Sequence, residues 1–361
     1  MSSIPYTIAE VTPEAVTELL SQRTGWTDLS IASLESAPVG TGQMANSYRL
    51  TLEYTIRPDG APDTVIAKMS STDPDSRQMG AATGAYQREV LFYQHLADLT
   101  DVRAPDCFSA QITDDHHDFL LLLEDMGPAR TVEQIGGCTP DQADSALGQA
   151  AALHAGSWGH ATLTEQSWLP VEHVWNALAG ALPEIVDPWL QRFGSYLELE
   201  HVDVLHRLGR EIPAWLATLS EHRTLWHGDF RLDNLLFDAQ DGRTRIAVVD
   251  WQSVAVAPGV IDVSYLLGTS LTEADRVAHE RALVGEYHRR LLSAGVTGYD
   301  ADRCWLEYRA HALYGLVLTV PVSLGVASTE RGDAMFGAMA RRVAQQIVDN
   351  DSFTALTAVT G

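Results

Sequence analysis

The sequence predicts an α+β protein in two parts: a small, mainly β amino-terminal lobe with one helix over residues 1–125, and a larger, mainly helical lobe over residues 126–361. Three observations support this. Runs of apolar and β-branched residues at Ala45 to Ile56, Val65 to Met69 and Phe119 to Leu123 read as strands, and all fall before residue 125. From about Thr139 onward, apolar positions recur every three or four residues, the helical period. Residues 224–251 interrupt that period with short apolar pieces and turn residues, which predicts loops and a hairpin set into the helical part.

In chain order, residues 12–21 read as a short helix ahead of the strands. The strands at 45–56 and 65–69 are joined through Arg57-Pro58-Asp59-Gly60, a bend rich in turn formers. Gln78 to Leu99 has helical spacing, with Val90, Phe92, Tyr93 and Leu96 on its apolar side. The unbroken run Phe119 to Leu123 has the pattern of a strand buried on both faces. Beyond it, helices are expected at Ala143 to Trp158, Val204 to Thr218, Ala274 to Ala294 and Ala301 to Val320. Leu313 to Ser328 is the longest apolar stretch, but it is short for a membrane span and holds Gly315, Pro321 and Gly325, so a buried helical segment is expected.

With 361 residues and 45% hydrophobic content, the chain can bury a sizeable core. Its 48 acidic and 24 basic side chains give a formal charge of −24, spread over both halves. A polyanion would be repelled, so nucleic acid is excluded as an expected partner, while a cationic small molecule would be mildly favoured. Cys107, Cys138 and Cys304 are widely spaced, which fits free thiols in a reducing cytoplasm. Met1 to Leu20 lacks a basic n-region and an apolar h-region, so no secretory signal is expected there, and no membrane partner.

The stretch His227-Gly228-Asp229-Phe230-Arg231-Leu232-Asp233-Asn234, followed by Ile246-Ala247-Val248-Val249 and Asp250-Trp251, carries the densest chemistry. Asp229 and Asn234 lie on one loop, and Asp250 closes a short strand after a turn at Asp241-Gly242, so three oxygen-bearing side chains can converge. A carboxylate that accepts a hydroxyl proton, with an amide and a second carboxylate holding magnesium on nucleotide phosphates, is the minimum set for phosphotransfer. Asp229 is the candidate base, Asn234 and Asp250 the candidate metal ligands, and Arg231 a candidate contact to the transferred phosphate.

An independent signal is Lys68, the only lysine among 24 basic residues, at the end of Thr64-Val65-Ile66-Ala67-Lys68. A compact ammonium suits a narrow slot beside phosphates where a guanidinium fork does not fit. Glu89, on the following predicted helix, is the candidate partner that fixes it. Gly40 and Gly42, with Ser47 nearby, form a bend whose N–H groups can approach phosphates. Glu124 and Met126, where the buried strand turns polar, are positioned to offer backbone groups to adenine. His227 reads as a lock on its loop, Asp262 as an acceptor for it, and His154 and Trp158 as core packing. Trp158, Trp168, Trp175, Trp251 and Leu313 to Ser328 are candidate linings of an acceptor pocket.

The order of glycine bend, Lys68, Glu89, hinge, Asp229, Asn234 and Asp250 resembles the aminoglycoside phosphotransferase and choline kinase superfamily, with its protein-kinase-like two-lobed fold. Leu153-His154-Ala155 with Trp158, Gly136-Gly137-Cys138-Thr139 and the HGDFRLDN box look most like its ecdysteroid-kinase-like branch. The resemblance implies that Lys68 contacts ATP phosphates in a nucleotide-binding lobe, Glu89 positions it, Asp229 faces the acceptor hydroxyl, and Asn234 and Asp250 bind magnesium. Two departures matter. The glycine bend is not a full glycine-rich loop, and Trp251-Gln252 follow Asp250 where protein kinases carry Phe-Gly, which points to a small-molecule acceptor. The expected activity is ATP- and Mg-dependent phosphorylation of a small-molecule hydroxyl. An aminoglycoside-type antibiotic kinase and a non-catalytic nucleotide-binding regulator remain as alternatives, and the sequence is silent on the acceptor and on oligomeric state.

Overall fold

The computed structural model describes residues 4–22, 26–40, 44–170, 172–220 and 223–360. The chain divides into two compact units. Unit 1 comprises Met1–Asp98, Ala104–Pro128 and the short piece Val249–Ser253; unit 2 comprises Leu99–Arg103, Ala129–Val248 and Val254–Gly361.

Unit 1 contains α1 (Pro13–Ser21), β1 (Ser30–Pro38), β2 (Ala45–Ile56), β3 (Thr64–Ser70), α2 (Pro74–Ala82), α3 (Ala85–His95), β4 (Cys107–Ile112) and β5 (Phe119–Glu124). The strands form one antiparallel sheet in the order β1-β2-β3-β5-β4. β5 explains its own unbroken apolar run. Phe119, Leu121 and Leu123 pack with Tyr86 and Val90 of α3, while Leu120 and Leu122 join Val16, Leu19 and Leu20 of α1 on the other face. A strand covered on both sides has no polar face to alternate with. The same two-residue period sorts β3. Val65, Ala67 and Met69 point to the α1 side, Ile66 to the α3 side, and Lys68 shares the side of Ile66.

Two expectations for unit 1 need correction. The helix read over Gln78 to Leu99 is two helices, α2 and α3, because Gly84 between them takes the left-handed conformation at φ 70°. A Cβ on Gly80 would also stand 2.4 Å from the Tyr86 ring, so α2 meets α3 closely there. The sequence reading also passed over β1 and β4, whose residues are mostly half-buried or exposed and show no clear alternation.

Unit 2 contains α4 (Pro140–Ser157), α5 (Thr162–Glu165), α6 (Glu172–Phe193), α7 (Leu199–Ala217), β6 (Arg223–Trp226), β7 (Leu235–Ala239), β8 (Thr244–Val248), β9 (Ala255–Pro258), α8 (Val260–Ser270), α9 (Glu273–Ser293), α10 (Ala301–His311), α11 (Tyr314–Gly325), α12 (Glu330–Asp349) and α13 (Ser352–Thr360). The single helix expected at Ala301 to Val320 is α10 followed by α11, with a break at Ala312-Leu313. Five of the described helices went unread: α5, α6, α8, α12 and α13. All eleven residues of α8 are buried, so it has no amphipathic stripe to read. The interruption expected at 224–251 is present as two small antiparallel pairs, β6 with β9 and β7 with β8. Among the described residues no helix is long and apolar enough to cross a membrane.

One buried group in this unit is a liability. His311 is 1% exposed, packs edge-on to Trp215, and neither ring nitrogen has a hydrogen-bond partner. Burial, with a smaller push from Arg303, drives its pKa down to about 3. In the unfolded chain the imidazole protonates near its ordinary value of about 6.5. Between those values the unfolded chain holds the extra proton, so stability is complete above about 6.5 and drains away as the pH falls toward about 3. The slope is about 1.4 kcal/mol per pH unit at most. We expect His311→Phe to flatten this slope by one proton and to raise stability near pH 5, checked by urea unfolding across pH 4–7. An unchanged slope would remove His311 from the account.

Candidate active site

The residues singled out in the sequence fall into two constellations, one in each unit, built by different means. In unit 1, β3 places Lys68 level with Ser47 of β2 and Leu121 of β5, on the sheet face that α3 covers. Glu89 lies on the buried side of α3 with Tyr86 and Val90. The Lys68 ammonium donates to Glu89 Oε1 at 2.6 Å and to Asp250 Oδ1 at 3.0 Å. Burial alone would favour the neutral amine, but the two carboxylates outweigh it and the Lys68 pKa is raised. Lys68 thus stays a cation in a dry place, and with three N–H donors on Nζ, two bonds leave a third.

Asp250 reaches this position because Val249–Ser253 is pinned to α3. The Trp251 ring stacks on Phe92 with centroids 3.8 Å apart and planes 9° from parallel, and Arg88 Nε donates to the Gln252 carbonyl at 3.1 Å. Asp250 itself has φ 69°, a conformation that Asp tolerates better than most side chains. Trp251 is fully buried in this stack, so it is not a lining of an acceptor pocket as the sequence had suggested.

The remaining unit 1 candidates are more loosely placed. Gly40 has φ 75° with open space where a Cβ would stand; Gly42 lies outside the described residues. The Glu124 N–H donates to the Asp106 carbonyl at 2.8 Å, so that donor is already committed. Met126 is buried just beyond it. Between them Asp125 is clamped by Arg49 Nε and Nη2 at 2.5 and 3.0 Å and accepts the Gly127 N–H at 2.9 Å, which fixes the bend after β5.

In unit 2, β6 ends at Trp226, opposite Ala255 of β9, and the chain then turns through Gly228 at φ 82°. Asp262, in the first turn of α8, accepts the N–H groups of His227 and Gly228 at 2.8 and 3.1 Å. Its carboxylate also meets His154 Nε2 at 3.2 Å, and His154 Nδ1 meets the Tyr287 hydroxyl at 2.9 Å. His154 and Asp262 are both fully buried. The helix start is pressed close: a Cβ on Gly259 would stand 2.5 Å from the His154 ring. His154 is therefore more than packing, because it braces the acceptor that braces the loop. His227 behaves as read, with Nδ1 taking the Asp229 N–H at 3.3 Å.

Three side chains converge on the Asp229 carboxylate, which is about a quarter exposed. Asn234 Nδ2 donates to Asp229 Oδ2 at 3.0 Å and to its carbonyl at 2.8 Å. Arg231 Nε lies 3.0 and 3.2 Å from the two carboxylate oxygens, and its Nη1 pairs with Asp233. The Tyr265 hydroxyl donates to Oδ1 at 3.2 Å. Burial opposes the Arg231 charge, but Asp229 and its neighbours raise the guanidinium pKa further. The Asn234 bonds leave its amide oxygen as a hard oxygen donor of the kind magnesium takes. Tyr265 and Tyr314, whose hydroxyl donates to the Gly228 carbonyl, were missed in the sequence. Tyr265 stands three residues after Asp262 on one helix face, a signal that was available; Tyr314 has no local signal.

A five-stranded sheet unit and a helical unit bearing an inset loop of this kind define the protein-kinase-like fold. Among solved structures, an ethanolamine kinase from Plasmodium vivax superposes with a TM-score of 0.51 at 10% identity, covering 98% of this chain and 95% of that one. The GDP complex of wild-type aminoglycoside 2'-phosphotransferase-IIIa gives 0.48 at 16% identity, covering 96% and 98%. The model of the ecdysteroid kinase-like family matches residues 40–295, and the chain belongs to that family. A shorter likeness, 32% identity over 84 residues, is to mouse acyl-CoA dehydrogenase family member 10; it spans 23% of this chain and only 8% of that protein.

The Asp262 arrangement makes a direct prediction. Asp262→Ala leaves two buried N–H groups without an acceptor, at about 1–3 kcal/mol each. Urea unfolding should register a loss of roughly 2–5 kcal/mol, and Asp262→Asn, which keeps one acceptor oxygen, a smaller loss. A neutral Asp262→Ala would mean that the loop is held by something else.

Proposed function

We propose that this protein is an ATP- and magnesium-dependent phosphotransferase that phosphorylates a hydroxyl group of a small molecule. The observation that carries the reading is the Lys68 ammonium held between Glu89 and Asp250. A single buried lysine kept charged by two carboxylates, with a donor to spare, suits a group that grips phosphate oxygens. Family membership supports the same reaction class.

In this reading Glu89 fixes the ammonium and Lys68 neutralises the nucleotide phosphates. Asn234 Oδ1 and the Asp250 carboxylate would hold magnesium, which supplies positive charge to phosphate oxygens as negative charge moves among them. Asp229 accepts the proton of the acceptor hydroxyl at a carboxylate oxygen. Asn234, Arg231 and Tyr265 set the plane of that carboxylate beforehand, so little reorganisation is left for the reaction itself. Arg231 would also steady the phosphoryl group as it passes. Gly40, Gly42 and Ser47 would serve the phosphates, and the backbones of Glu124 and Met126 the adenine. A cytoplasmic location accords with three free thiols.

A second reading, a kinase for cationic acceptors of the aminoglycoside or amino-alcohol type, is favoured by one observation, the formal charge of −24. Such a field raises the local concentration of cations.

The test is nucleotide consumption with magnesium against a panel of aminoglycosides, amino alcohols, sugars, nucleosides and sterols. Acceptor-dependent turnover is expected, with kcat reduced by about 10²–10⁴ in Asp229→Ala while nucleotide binding persists. Asp250→Ala should lose magnesium-dependent nucleotide binding as well. Full turnover in Asp229→Ala would sink the mechanism. Nucleotide binding without turnover on any acceptor would favour a regulatory protein.

A further inference from the structure

Unit 2 also carries a cavity of about 520 Å³ that shares no residue with the Asp229 loop or the Lys68 cluster. Its wall includes four arginines: Arg103, Arg243, Arg245 and Arg290. They come from separate parts of the unit, with Arg243 in the turn before β8, Arg245 in β8 and Arg290 near the end of α9. Acids outnumber bases two to one in this chain, 48 to 24, yet Asp144 is the one carboxylate in this wall.

That carboxylate is already spent. Arg290 donates to Asp144 Oδ1 and Oδ2 at 2.9 and 2.8 Å and to the Asp144 carbonyl at 2.8 Å, and it reaches Glu286 at 3.2 Å. Arg243 gives its Nε to the Gln240 carbonyl at 3.0 Å. Among the described residues neither Arg243 nor Arg245 makes an ion pair. Arg243 closes the turn before β8 and Arg245 lies within β8, and both side chains line the same wall. Like charges so placed repel, and a multivalent anion between them relieves both. Neutral donors lie beside them. Gln149 accepts the Arg103 N–H at 2.7 Å through Oε1, which leaves its amide nitrogen as a donor, and Thr244 contributes a hydroxyl.

We infer that this cavity binds the phosphate group of a small molecule. Guanidinium forks match the paired oxygens of a phosphate and hold their charge at any working pH. The volume lies within the range of small-molecule sites, about 300–1,000 Å³. The ligand is either an inorganic phosphate species or a phosphate ester; both present the same dianionic face.

Calorimetric titration of the full chain at fixed ionic strength tests this, using inorganic phosphate, pyrophosphate and glycerol 3-phosphate without nucleotide or acceptor, so that the result is independent of turnover. We expect saturable binding of one equivalent of at least one probe. The double variant Arg243→Ser/Arg245→Ser should weaken it ten-fold or more. Arg243→Lys/Arg245→Lys, which keeps the charges and loses the forks, should weaken it less. Lys68→Ala should leave it unchanged. Preference for pyrophosphate identifies an inorganic ligand, and preference for glycerol 3-phosphate identifies an ester. Both arginines are exposed, so the variants should keep the wild-type melting temperature. Absence of saturable binding, equal affinity in the serine variant, or loss in Lys68→Ala alone would overturn the site.

Discussion

Two backbone N–H groups, those of His227 and Gly228, end on the carboxylate of Asp262 inside the helical unit, and the geometry around Asp229 follows from that ending. Gly228 takes a left-handed conformation there, which turns the chain so that Asp229, Arg231 and Asn234 lie on one short arc. The carboxylate is fully buried, and such a charge is stable only when it is answered on several sides. The two N–H groups answer from the loop, and His154, backed by Tyr287, answers from α4. α8 therefore serves as an anchor for the loop more than as an ordinary core helix.

Unit 1 reaches a comparable result by opposite means. No loop needs holding, because the pleat of β3 sorts its residues between two apolar faces and leaves Lys68 on the one that α3 covers. Placing a cation there would be costly without Glu89, and the pair would lack a third member without Asp250. Asp250 arrives from far along the chain, held by the stacking of Trp251 on Phe92. A residue pair that looks like packing thus decides where a carboxylate sits.

The parts of this arrangement that the sequence disclosed are those with short-range grammar. The strands Ala45–Ile56 and Phe119–Glu124, the hairpin turn at Asp241-Gly242, and the residues Lys68, Glu89, Asp229, Asn234 and Asp250 were all legible from period, turn chemistry or motif. The resemblance to the ecdysteroid-kinase-like branch, read from the HGDFRLDN box and its companions, holds over residues 40–295. α8 was invisible because a helix buried all round has no stripe, and the split of α2 from α3 turned on Gly84 alone. Tyr314 could not be found, since its hydroxyl meets Gly228 across 86 residues. Trp251 was misjudged because a tryptophan beside a motif looks the same in sequence whether it lines a pocket or fills a stack.

The single lysine has a practical corollary. A protease or reagent directed at lysine side chains has one address in the whole sequence, and that address is 9% exposed, with its ammonium engaged by two carboxylates. Cleavage or labelling there therefore requires β3 and α3 to part, and the rate of either reaction in the intact protein is a direct reading of how often the sheet unit opens. Because every other basic residue is arginine, mass spectrometry of the treated protein reads that opening at one position, with no engineered label.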